Sequence, residues 1–153
     1  MTPAGPFLQR TVLQLMGDQA LTAGHRMIDH VALTRACDAA GLAHDEWFDA
    51  LVALRADGLV QLRDYDGKVA LLALTAVGTW AYLVQACSDL ADVTERLLDL
   101  LDAAEANIVV PLGHDLGESP LLVEAVLDHL AGRRLVVYSR VGPDSFRIHR
   151  FSL

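Results

Sequence analysis

The side chains most able to hold a metal or move a proton are six histidines, His25, His30, His44, His114, His129 and His149, and two cysteines, Cys37 and Cys87. Their spacing argues against both uses. A transition-metal site wants two or three ligands at helix or strand spacing with a carboxylate or thiolate beside them. His25 and His30 are five apart, which does not place them on one helical face. The cysteines have no close spacing, so neither a Cys-x-x-Cys knuckle nor a disulfide scaffold is encoded, and Cys37 reads as a small core residue. No Gly-x-Ser-x-Gly nucleophile motif occurs. The segment Leu112-Gly113-His114-Asp115-Leu116-Gly117-Glu118-Ser119 leads into a helix N-terminus, where backbone N–H groups can hold an anion. It lacks the lysine of a P-loop and the Gly-x-Gly-x-x-Gly spacing, and Asp115 and Glu118 repel phosphate, so it reads as a connecting loop. The expectation is a protein that is not an enzyme and uses no metal or cofactor.

Charge is more informative. The 153 residues carry 12 Lys and Arg against 20 Asp and Glu, a formal net charge of −8. An acidic total argues against a protein that coats nucleic acid non-specifically, because phosphate neutralisation needs cations. Apolar types make up 53% of the chain against 21% charged, which excludes intrinsic disorder. The acids cluster: between residues 76 and 107 Arg96 stands alone against Asp89, Asp92, Glu95, Asp99, Asp102 and Glu105. After Gly132, Arg133, Arg134, Arg140, Arg147 and Arg150 face one acid, Asp144. Neither a charged leader nor a signal-type apolar stretch follows Met1, which reads as cytoplasmic. Val69 to Ser88 has no charge and the length of a membrane span, but Thr75, Gly78, Thr79, Gln85 and Ser88 interrupt it. A strand running into a helix through a Thr cap explains it, and no membrane partner is expected.

The elements follow from periodicity and punctuation. Phe7, Leu8, Val12, Leu13, Leu15 and Met16 give a helix from Pro6 to Met16, ended by Gly17-Asp18. Asp29 or His30 caps a short helix from about Leu33 to Ala40, with Gly41 after it. A third helix starts at His44 or Asp45, turns Phe48, Leu51 and Leu54 inward, and stops at Asp57-Gly58. Leu59–Arg63 and Val69–Leu74 flank Tyr65-Asp66-Gly67-Lys68, an Asp-Gly hairpin signal.

Taken in order, four pieces carry a resemblance. They are Val31 to Leu42, then Phe48, Leu51 and Leu54, then Asp57-Gly58-Leu59-Val60, then Leu74-Thr75-Ala76-Val77-Gly78. Residues 31–78 resemble the winged helix-turn-helix superfamily, most closely its MarR-like and PadR-like regulators. The resemblance implies a transcriptional regulator that binds double-stranded DNA, with helix three in the major groove and the hairpin against the backbone. It places Thr34, Arg35 and His44 near the groove and Arg63 and Lys68 on the phosphates. Helix three nonetheless begins His44-Asp45-Glu46-Trp47-Phe48-Asp49, and three carboxylates in that stretch cost affinity near phosphate.

From Thr75 to Glu105 nothing in the pattern breaks a helix. Leu83, Leu90, Val93, Leu97 and Leu100 fall at heptad spacing, and the expectation is one long helix pairing two copies into a homodimer. The last third reads as a strand at Asn107–Pro111, a helix after Ser119-Pro120 stopped by Gly132, and a hairpin of Arg134–Val141 with Phe146–Ser152. The sequence therefore predicts an α+β protein with a winged helix over residues 1–75, a long linking helix over 76–106 and a small β-α-β-β unit over 107–153. The leading expectation is a dimeric DNA-binding regulator. The alternatives are a winged-helix protein-interaction module that docks a basic partner, and a small-molecule sensor.

Overall fold

Pro6 occupies the first turn of a helix, where its missing N–H costs nothing. That helix, α1 (Pro6–Ala23), does not stop at Gly17-Asp18 as the sequence suggested. Gly17 lies in its interior because a Cβ there would fall 2.0 Å from the Tyr82 ring. The glycine marks a close helix crossing, and the actual stop is Gly24 at φ 80°. The computed structural model describes residues 5–65, 68–103, 107–110, 116–142 and 145–150.

Asp29 caps α2 (His30–Ala39) by accepting from the Val31 N–H at 3.0 Å, so the helix begins a turn earlier than its apolar pattern indicated. The next helix, α3 (His44–Ala56), opens with the Glu46 carboxylate accepting from the Ala43 N–H at 3.2 Å. Its inner face is Trp47, Ala50, Leu51 and Leu54, all buried, whereas Phe48 is only half-buried. Strands β1 (Val60–Tyr65) and β2 (Lys68–Leu74) pair antiparallel, with Leu62 opposite Leu72 and Val60 opposite Leu74. The Asp66-Gly67 turn lies outside the described residues. On its other side β2 makes an isolated bridge from Ala73 to Met27, and Ile28 N–H donates to Leu72 O at 2.9 Å.

The long helix is two helices. α4 (Ala76–Ala86) ends before Cys87, and α5 (Leu90–Ala103) begins after Asp89; residues 104–106 lie outside the described residues. The interruption is a capping event: Asp89 O accepts from Val93 N–H at 2.9 Å, while its side chain accepts from the Cys87 thiol at 2.8 Å. Ser and Asp are in general poor helix-interior residues, since their side chains compete for backbone groups. The chain divides at the same place into two compact units, Met1–Ala86 and Cys87–Leu153, a boundary that falls inside the segment expected to be one long helix.

After α5 the second unit continues in the order β-α-β-β, with β3 (Asn107–Val110), α6 (Pro120–Gly132), β4 (Val136–Arg140) and β5 (Phe146–Arg150). The strands form one antiparallel sheet in the order β3-β5-β4. α6 packs on β4, and Val136, Phe146 and Ile148 are buried together with Leu121, Val126, Leu127 and Leu130 of the helix. The protein is thus mixed α+β. No helix among the described residues is long and apolar enough to cross a membrane.

Candidate nucleic-acid interface

The first unit holds all of the expected DNA contacts. Arg35 is exposed on α2, while Thr34 beside it is half-buried and donates its hydroxyl to His30 O at 2.9 Å. His44 is exposed at the first position of α3. Its ring lies parallel to Phe48 at 5.9 Å and meets Trp47 edge-on at 4.8 Å, and its Nδ1 is 3.8 Å from an Asp45 carboxylate oxygen. The inner face expected for helix three is Phe48, Leu51 and Leu54, without Trp47. Trp47 is instead a core residue, 1% exposed, and its indole N–H has no hydrogen-bond partner among the described residues.

The hairpin displays its cations. Arg63 is exposed on β1 immediately before a bulge that shifts the register between Arg63 and Asp64. The bulge puts an exposed cation and an exposed anion side by side at the outer half of the hairpin. Lys68 is exposed at the first position of β2. Arg35, Arg63 and Lys68 make no ion pair among the described residues, so their charge is available to an outside partner. Arg55 differs. It donates to Leu62 O at 3.4 Å and ties the end of α3 to β1.

No protein family, curated protein or solved structure matches the chain. The geometry alone carries the reading.

That geometry has a mixed electrostatic character. The exposed surface of α3 offers Asp45, Glu46, Asp49 and Val52 along with His44. Glu46 is engaged in capping, and acids in a first turn complement the helix dipole, which accounts for Asp45 and Glu46 without any ligand. Asp49 lies past the first turn and has no such role.

Four of the five residues expected to pair two copies do other work. Leu83, Val93 and Leu97 are fully buried and Leu90 is 8% exposed within a single chain, leaving Leu100 as the exposed member at 36%. The heptad spacing is real, but it marks the sides of α4 and α5 that the chain itself covers. Of the five, Leu83, Leu90, Val93 and Leu97 are covered within one chain, which leaves Leu100 open to a partner.

Chemistry at sulfur is disfavoured as well. Burial and, after it, the neighbouring Asp38 charge push the Cys37 thiol up to about 11. Burial and the hydrogen bond to Asp89 push Cys87 up to about 11. Neither is a thiolate near neutral pH, the state a nucleophilic cysteine requires. Among the described residues no group of three or more His, Cys, Asp and Glu could hold a metal ion. The 112–115 part of the anion-loop segment lies outside the described residues. Further on, Glu118 is committed to Arg96 at 3.0 Å, and Arg96 also donates to Leu116 O at 3.1 Å.

Proposed function

We propose that residues 31–78 form a winged helix-turn-helix and that the chain binds double-stranded DNA as a transcriptional regulator. The observation that carries this reading is the trio Arg35, Arg63 and Lys68, exposed on α2 and the β1–β2 hairpin and without an ion pair among the described residues. The element order supports it: two helices joined by a short turn, then a hairpin whose inner strand is bridged on its far side by Met27. Contacts of this kind go mainly to phosphates, so they position the protein more than they read sequence.

One observation favours a second reading. The exposed carboxylates Asp45, Glu46 and Asp49 on α3 suit a basic protein partner better than a groove lined by phosphates. The two readings separate on the variant Asp45→Asn with Asp49→Asn, measured by fluorescence anisotropy on a labelled mixed-sequence duplex. If α3 enters the groove, losing two like charges tightens binding severalfold, since each unfavourable charge near phosphate costs on the order of 1 kcal/mol. Unchanged affinity would place α3 away from the DNA and favour the interaction module.

A further inference from the structure

The β3-β5-β4 sheet has two unlike faces. On the helix side Val136, Phe146 and Ile148 are buried, the Tyr138 hydroxyl donates to Asp128, and Arg140 reaches Glu124 at 2.9 Å. On the other side Val137, Ser139, Arg147 and His149 are exposed, with Val137 open over 52% of its surface. Register makes them two cross-strand pairs, Val137 opposite His149 and Ser139 opposite Arg147. They line a shallow depression of about 270 Å³, near the lower end of the range for small-molecule sites. Tyr138 lies between them in the chain with its hydroxyl engaged on the helix side.

The charge of this face runs against the rest of its unit. Cys87–Leu153 contains eleven Asp and Glu, yet none of them falls in the three strands. Arg140 is neutralised by Glu124, whereas the Arg147 guanidinium makes no ion pair or hydrogen bond among the described residues. An exposed guanidinium beside a hydroxyl and a bare valine is a donor fork with an apolar floor next to it. That combination matches a carboxylate carrying an apolar body: the fork takes both oxygens, Ser139 Oγ donates a further hydrogen bond, and the body lies on Val137. A nucleic-acid strand fits less well, because such platforms combine several cations with stacking aromatics, and among the described residues this face offers one arginine and one imidazole. We infer that the open face of the β4–β5 pair binds a small organic carboxylate with an apolar body. The site stands independently of DNA binding by the first unit.

The test uses the ¹⁵N-labelled full chain titrated with sodium 4-methylbenzoate, with 4-methylbenzamide as the uncharged isostere. The expected result is saturable movement of the Val137, Ser139, Arg147 and His149 amide signals by the carboxylate and little movement by the amide. Arg147→Ala lowers the carboxylate's affinity by about tenfold, and Arg147→Lys by less, because charge remains but the fork is lost. Both substitutions are at an exposed position and leave the fold intact, which unchanged amide signals of α6, on the other side of the sheet in the same unit, verify. Equal shifts with the amide, no shifts at these positions, or full affinity in Arg147→Ala would overturn the proposal. So would movement of the same signals by a mixed-sequence oligonucleotide but not by the carboxylate, which would assign the face to nucleic acid.

Discussion

Gly78 and Leu59 approach so closely that a Cβ on Gly78 would stand 1.8 Å from the Leu59 carbonyl oxygen. The same carbonyl accepts from the Thr75 N–H at 3.1 Å, and Thr75 Oγ1 both donates to Gly58 O at 2.7 Å and accepts from the Gly78 N–H at 2.9 Å. The Thr-x-x-Gly sequence is therefore one device: threonine caps α4 and glycine lets its first turn rest on the chain entering β1. Gly78→Ala should destabilise the first unit by about 3 kcal/mol, since the obstacle is backbone and cannot swing aside. Urea unfolding followed by circular dichroism measures it, and a change below about 1 kcal/mol would refute the contact.

Gly17 makes a second prediction, with a change of sign. The Tyr82 ring over Gly17 is held by its hydroxyl, which donates to Asp18 at 2.6 Å. In the natural chain Gly17→Ala should destabilise, because overpacking outweighs the roughly 1 kcal/mol by which alanine favours a helix. With Tyr82→Ala already present, the same substitution should stabilise. A double-mutant cycle reads the coupling directly, and additive effects would show that the ring does not confine position 17.

Cys37 predicts a pH dependence. Its folded pKa, pushed up to about 11, lies above the ordinary value of 9.0, so the folded state holds the proton more tightly than the unfolded chain. The stability linked to this group is complete below pH 9 and is lost as pH rises towards 11. Cys87 shifts in the same direction. Unfolding curves between pH 8 and 11 should therefore fall less steeply for Cys37→Ala than for the natural chain. Parallel slopes would rule out this account of the thiol.

Leu90→Asp and Val93→Asp test the division of the rod. Both side chains are buried within one chain, so a carboxylate there should lower the melting temperature at every protein concentration. A midpoint that depends on concentration in the natural chain, and not in the variants, would restore α5 as an interface between copies.

Much of the fold was legible because local rules agreed with tertiary packing. Asp29, Gly41 and Gly58 punctuate the helices where cap chemistry puts them, and alternation along Phe146–Arg150 separates buried Phe146 and Ile148 from exposed Arg147 and His149. The errors have physical causes. Gly17 reads locally as a stop, and only the distant Tyr82 makes it a packing position. Ser88 and Asp89 interrupt the helix although the heptad spacing continues through them, since Leu83 and Leu90 lie seven apart on either side of the turn. That pattern tells which side chains are covered and not what covers them. Of the candidate site, the exposure of Arg35, Arg63 and Lys68 follows from residue type. The open sheet face required the register of β4 against β5, which pairs Ser139 with Arg147.

The salt dependence of duplex binding tests the central reading most directly. With Arg35, Arg63 and Lys68 as phosphate contacts, log K against log salt should have a shallow slope of about −3, close to 0.9 per neutralised phosphate. Arg63→Ala with Lys68→Ala should flatten that slope by about 2 and weaken binding alike on every sequence. A folded protein that shows no anisotropy change with duplex at 20 to 50 mM salt, on the order of the lowest concentrations used for such contacts, would contradict it. So would a double variant with an unchanged slope.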